Sequence, residues 1–201
     1  KHGETFELPN ASEYGFTCEG HKFVGWKDET NGPDDNAKTY KAGEEFTQLD
    51  LVYMVLMSSY GDCALLAAEY YGGSVENFVA MMNSRAVELC LNNTHYENPI
   101  GLHHEENYTT AYDTYKLTKL ALQNETFKEV CESTRYTVNA SVSGKRVLST
   151  TNQLQDSTTN YYYQYAKGVK TGFTDEAGRC LVSTASYDGY NYMCIVFGCP
   201  P

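Results

Sequence analysis

An Asp188-Gly189 pair lies between residues 179–186 and 190–197, two segments rich in β-formers. Asp-Gly flanked by such segments closes a tight antiparallel hairpin, so the last third of the chain is committed to sheet. A third strong segment covers 168–173, and two short alternating ones cover 136–138 and 145–148. Upstream the pattern is helical. Thr47-Gln48-Leu49-Asp50 reads as a capping box ahead of an apolar run at 51–56. A second helix is expected from about 62 to 71, stopped by Gly72-Gly73, and Ser74 caps a third that ends at Asn92-Asn93. Thr109 or Thr110 caps a fourth, and a short fifth covers about 125–131. Helices first and antiparallel strands afterwards give an α+β fold, not a doubly wound parallel sheet.

The 201 residues correspond to one domain, or one plus a small appendage. With 15 Lys and Arg against 26 Asp and Glu the net charge is −11, which argues against nucleic acid or an anionic membrane as partner. No transmembrane segment is expected, because the apolar stretches are too short to span a bilayer. The chain opens on Lys1 without a leader sequence, so a leader already removed or a longer parent is expected. Seven cysteines (18, 63, 90, 131, 180, 194, 199) leave at least one unpaired, and none forms a Cys-x-x-Cys. Most read as buried small apolar residues, and a Cys194–Cys199 bridge requires the strand end to curl back. No metal and no cofactor are expected. Five Asn-x-Ser/Thr sequons, at Asn10, Asn92, Asn107, Asn124 and Asn139, read as chance occurrences in an Asn/Ser/Thr-rich chain.

Lys170-Thr171-Gly172 falls on one of the expected strands, and Ser59-Tyr60-Gly61 falls in the short link between two expected helices. An ammonium and a hydroxyl side by side can hold a carboxylate, and a glycine beside them leaves room for a ligand's backbone. A serine at a helix junction can point into the same cleft and relay protons. Three residues alone arise often by chance, so position carries the argument. Collinear with these motifs are Tyr40-Lys41-Ala42-Gly43-Glu44-Glu45-Phe46-Thr47, Asn93-Thr94-His95-Tyr96, Asn98-Pro99-Ile100-Gly101-Leu102, Tyr108-Thr109-Thr110-Ala111-Tyr112-Asp113, and Gly168 through Gly178.

Over about 38–199 the chain resembles the low-molecular-mass penicillin-binding proteins of the serine D-alanyl-D-alanine carboxypeptidase family, peptidase S11. The resemblance implies a β-lactamase-like fold with three catalytic elements, Ser-x-x-Lys, Ser-x-Asn and Lys-Thr-Gly. In that scheme the first serine attacks the penultimate D-Ala carbonyl and an acyl-enzyme is then hydrolysed. Ser59 matches the Ser-x-Asn serine, implied to pass a proton to the leaving D-Ala. Lys170 and Thr171 match the carboxylate-binding pair, Gly172 completes the triad, and the Phe173 N–H would be one oxyanion donor. The implied partners are peptidoglycan stem peptides ending in D-Ala-D-Ala, and β-lactams; the implied location is the bacterial cell envelope, outside the cytoplasm.

Two departures stand out. Gly61 occupies the Asn position of Ser-x-Asn, removing an amide implied to hold the substrate's carbonyl. No serine or threonine in the chain has a lysine three residues on, so the nucleophile motif is expected upstream of Lys1. The segments 3–9, 20–26 and 40–43 resemble instead the Listeria–Bacteroides-type β-repeat of surface proteins, with a strand expected at 21–26. Residues 1–49 are therefore expected to form a small β module ahead of a carboxypeptidase-like domain over 50–201, with 38–49 claimed by both patterns. Two functions follow: a D-Ala-D-Ala carboxypeptidase-like protein, or a non-catalytic wall-binding module that keeps the Lys-Thr-Gly cleft. His95 is expected to be structural, His103 and His104 to lie in a polar loop, and Asp175-Glu176 in a turn. Tyr161, Tyr162, Tyr163 and Tyr165 offer either a sugar-stacking surface or a plain loop.

Overall fold

Thr47 starts the first helix in the way its sequence anticipates. Its hydroxyl accepts from the Asp50 N–H at 3.1 Å, while its own N–H donates to the Asp50 carboxylate at 3.0 Å. The structure, a computed structural model, describes residues 5–7, 26–27, 39–40, 45–140 and 144–200. Before residue 46 it describes backbone alone: strands β1 (Thr5–Glu7) and β4 (Glu45–Thr47) pair antiparallel, as do β2 (Trp26–Lys27) and β3 (Thr39–Tyr40). Of the strand expected at 21–26 only Trp26 is described, and the repeat-like segments lie mostly outside the described residues.

Five helices follow: α1 (Gln48–Ser58), α2 (Gly61–Gly72), α3 (Val75–Glu88), α4 (Ala111–Ala121) and α5 (Glu125–Glu132). Their starts follow local chemistry. Ser74, Thr110 and Asn124 each accept a hydrogen bond from the N–H three residues on, at 3.2, 3.1 and 3.0 Å. One boundary differs from expectation. The third helix stops at Glu88, short of Asn92-Asn93, because Cys90 turns to φ 53° and the Leu91 N–H folds back onto Ala86 O at 2.9 Å.

The rest is antiparallel sheet, so the α+β layout holds. Strands β5 (Arg135–Ala140) and β6 (Gly144–Ser149) pair with each other. Strands β7 (Ala166–Thr174), β8 (Gly178–Tyr187) and β9 (Tyr190–Cys199) form a sheet in that order. At the β8–β9 hairpin Asp188 and Gly189 have φ 50° and 78°, the positive pair that a type I′ turn requires. Cys194 and Cys199 both stay on extended β9, and all six described cysteines are free thiols.

The core forms where α1, α2, α5, β5 and β6 meet. Phe46, Met54, Cys63, Val130, Val138 and Leu148 are fully enclosed there. The Tyr53 ring stacks on Tyr136 with centroids 3.6 Å apart, and the Tyr136 hydroxyl donates to buried Asp50 at 2.9 Å. Burial and that carboxylate raise the Tyr136 hydroxyl's pKa well above its ordinary value.

Candidate functional site

Ser59 sits at the break between α1 and α2, and the break is tightly made. Its N–H bonds back to Val55 O at 3.1 Å and the next N–H, of Tyr60, to Met54 O at 3.2 Å. Buried Ser58 and Tyr60 anchor the chain on either side. Between them Ser59 takes φ 55° and ψ 38°, a left-handed conformation costly for a residue with a Cβ. Gly61, buried, opens α2 two residues on.

Lys170 and Thr171 come from β7. Lys170 lies opposite Val182, Thr171 opposite Leu181, Gly172 opposite Cys180 and Phe173 opposite Arg179. Two glycines on this strand do different work. A Cβ on Gly168, at φ 104°, would stand 2.5 Å from Cys131 O, so only glycine lets β7 lie this close to the end of α5. A Cβ on Gly172 would meet only the Cys180 Cβ at 3.6 Å, an ordinary contact, so nothing within the described residues requires glycine there. In the order β7-β8-β9 the β7 strand is outermost, and its other edge is unpaired among the described residues.

The two motifs meet. The Lys170 ammonium donates to Ser59 Oγ, and to Thr171 O at 2.8 Å. Packing against α1 and α5 half-buries Lys170, and desolvation lowers its pKa to about 8. The nearby Cys131 thiol opposes that shift, while Cys131 itself is pushed up to about 12 by burial, with Lys170 pulling the other way. The Thr171 hydroxyl bonds to the Thr151 hydroxyl at 2.6 Å. Leu56, Met57, Cys131, Thr151, Asn152 and Val169 line the cleft beside the pair. Cys131, Thr151 and Asn152 carry no motif in the sequence; the fold brings them in from 39, 19 and 18 residues before Lys170.

The other sequence candidates lie apart. His95 pairs with Glu106 O at 2.8 Å inside a short bridge to Tyr108, a structural arrangement. His104 and Glu106 bond within their own exposed loop. Among the described residues no cluster of His, Cys, Asp or Glu is arranged to hold a metal ion. Asp175 and Glu176 are exposed in the β7–β8 turn. Tyr161, Tyr162 and Tyr163 are exposed, and Tyr165 packs edge-on against Tyr187 with centroids 4.7 Å apart. The Phe173 ring is 52% exposed under the Arg179 guanidinium.

Comparison with known proteins follows the same geometry. Residues 25–200 match the profile of the D-alanyl-D-alanine carboxypeptidases, peptidase family S11. The D-alanyl-D-alanine carboxypeptidase DacF of Bacillus subtilis is 34% identical over 156 residues, covering 78% of this chain and 39% of that protein. A D-alanyl-D-alanine carboxypeptidase of Streptomyces strain K15 is 32% identical, covering 73% of this chain and 53% of that protein. The crystal structure of the Streptomyces K15 DD-transpeptidase superimposes with TM-score 0.75 at 28% identity, over 92% of this chain and 76% of that one. Ampicillin-bound penicillin-binding protein D2 of Listeria monocytogenes gives TM-score 0.67 at 28% identity, over 78% and 62% of the two chains. The chain thus spans between 39% and 53% of these two curated relatives.

Proposed function

This chain belongs to the D-alanyl-D-alanine carboxypeptidase family, peptidase S11, and on that premise we propose that its cleft recognises peptidoglycan stem peptides ending in D-Ala-D-Ala. Lys170 and Thr171 hold the terminal carboxylate, a cation and a hydroxyl meeting an anion in a partly desolvated site. The free edge of β7 takes the peptide as an added strand, and Gly172 keeps that approach clear. Ser59 passes a proton from the Lys170 side towards the departing D-Ala, and the Phe173 N–H faces the developing oxyanion. The same groups take a β-lactam, whose ring amide and carboxylate mimic the peptide. This chemistry belongs to the bacterial cell envelope, outside the cytoplasm; among the described residues no helix is long and apolar enough to cross a membrane.

The observation that carries the reading is the Lys170–Ser59 bond, which joins residues 111 apart in sequence. Titration of the chain with a diacetyl-Lys-D-Ala-D-Ala peptide, followed by NMR, tests it. Binding should favour the D-Ala over the L-Ala terminus and weaken about tenfold in Thr171→Val, the loss of one hydrogen bond to a charged group. Equal shifts with both isomers would sink the reading. Because the 201 residues hold no Ser-x-x-Lys, a second reading keeps the same cleft in a non-catalytic wall-binding module. Release of D-Ala from the bound peptide by this chain would exclude that second reading.

A further inference from the structure

We propose that Arg179 sets the specificity of this cleft for the body of the peptide: it selects stem peptides whose third residue from the C-terminus ends its side chain in a carboxylate, as diaminopimelate does. The proposal rests on the peptide reading above and deepens it, since neither Lys-Thr-Gly nor Ser59 says anything about that residue.

The direction of the ligand follows from groups already placed. With the terminal carboxylate at Lys170 and Thr171 and the penultimate carbonyl facing the Phe173 N–H, the peptide runs antiparallel to β7, from the Thr174 end towards Lys170. Two to three strand steps separate those contacts, about 7–10 Å along β7. The residue before the penultimate D-Ala therefore passes the end of the strand, where Phe173 lies opposite Arg179.

At that point the protein presents a guanidinium that is exposed and makes no ion pair among the described residues. It lies over the Phe173 ring, with its central carbon 5.7 Å from the ring centroid. An aromatic ring beneath a guanidinium limits its motion and leaves its N–H groups to meet a carboxylate in pairs. The acids of the adjoining turn do not take that place. Asp175 and Glu176 are exposed, and Glu176 is held below its ordinary range by its own backbone N–H, with the Thr174 hydroxyl and His103 acting in the same direction.

The turn that carries Arg179 is firmly built. The Ala177 N–H donates to the Thr174 hydroxyl at 3.0 Å, and Gly178 takes φ 64°. A Cβ on Gly178 would stand 2.7 Å from Cys199 O, and Arg179 itself lies opposite Cys199, so β9 backs the turn directly. Neighbouring backbone thus sets Arg179 beside Phe173 before any ligand arrives, and little ordering is left for binding to supply. In a chain of net charge −11, an unpaired cation at the rim of the cleft is where an anionic side chain is drawn. A free lysine at the same position of the peptide would instead bring a like charge towards Arg179.

The test is NMR titration of the full chain with acetyl-diaminopimelyl-D-Ala-D-Ala and with the same peptide amidated at its side-chain carboxylate, so that the two ligands differ by one charge. The carboxylate form should bind about fivefold tighter at low salt, as an exposed ion pair of good geometry allows. The ratio of the two affinities should approach about one at roughly 0.5 M salt. It should also fall to about one in Arg179→Gln and below one in Arg179→Glu, with amide spectra reporting that each variant is folded. A ratio of about one in the wild type at low salt, or a ratio unchanged in Arg179→Gln, would overturn the proposal. The diacetyl-Lys-D-Ala-D-Ala peptide used above keeps two failures apart. If it binds with preference for D-Ala while the wild-type ratio is about one, Arg179 loses its role and peptide recognition stands; if none of the three peptides binds, both fall.

Discussion

Around α1 the side chains of Phe46, Met54, Val138 and Leu148 are at most 1% exposed, whereas in β7–β9 only Gly168 and Ser183 are buried. The sheet is not less apolar in sequence: Val169, Leu181, Val182, Ile195 and Val196 are half-buried, and Phe197 is exposed. One region is thus held by enclosure and the other by points of attachment. For the sheet those points include the close approach of Gly168 to Cys131 and the bond from Lys170 to Ser59, so its docking and its chemistry share one strand. That arrangement makes the candidate site sensitive to small changes on β7 that an enclosed core would absorb.

The sharpest test of the contrast compares two leucines. Leu148→Ala should lower stability by about 3–4 kcal/mol, since a fully enclosed side chain leaves a cavity, while Leu181→Ala should cost under about 1 kcal/mol. Urea denaturation of both variants reads the difference, and similar losses would show that the sheet is as well enclosed as the core. Gly168→Ala should cost about 3 kcal/mol, because a Cβ meets backbone and the φ of 104° is unfavourable for alanine. Peptide binding should fall with it, and retention of both would mean that β7 is not docked through this contact.

A smaller effect has the opposite sign. Lys170→Met should raise stability at pH 7 by roughly 2 kcal/mol, the desolvation penalty less the lost hydrogen bonds. Below about pH 8 the lysine is charged in both folded and unfolded chains, so the penalty is complete. Between about 8 and the ordinary 10.5 the folded protein gives up its proton while the unfolded chain keeps it, and the wild type gains stability. The advantage of methionine should therefore fade by about pH 10.5; a constant difference in Tm from pH 7 to 10.5 would contradict the burial argument.

The smallest effect concerns the first turn of α4, outside both regions. Lys116 at 2.8 Å, with the Asn93 N–H and the Thr94 hydroxyl, holds the Asp113 carboxyl below the usual carboxylate range. Its contribution is present above about pH 4 and lost as pH falls through the lowered value. The decline in Tm between about pH 4 and 2 should be shallower in Asp113→Asn, measured by thermal unfolding at each pH.

Much of the architecture was legible because its causes are local. The caps at Thr47, Ser74 and Thr110 and the turn at Asp188-Gly189 each use groups within three residues, and the structure uses them as the pattern implies. What the sequence concealed depends on distant partners. The end of α3 was misplaced at Asn92-Asn93 because the left-handed turn at Cys90, an unusual residue for it, preceded the expected breakers. Nothing near Tyr53 announces its stack on Tyr136, 83 residues away. At the site, Lys170, Thr171 and Ser59 could be picked out by motif, but the burial that depresses Lys170, and its neighbours Cys131 and Thr151, could not. Those are properties of α5 and the 150–152 turn arriving at the same place.

The left-handed geometry of Ser59 bears on how such a chain can drift. Glycine in place of serine would relax the backbone there, so thermodynamic stability alone pulls this position away from its present residue. A library selected only for folding should drift to glycine at 59, and one selected for the hydroxyl's role should hold serine. The residue recovered from each population would then separate what the fold prefers from what the cleft requires.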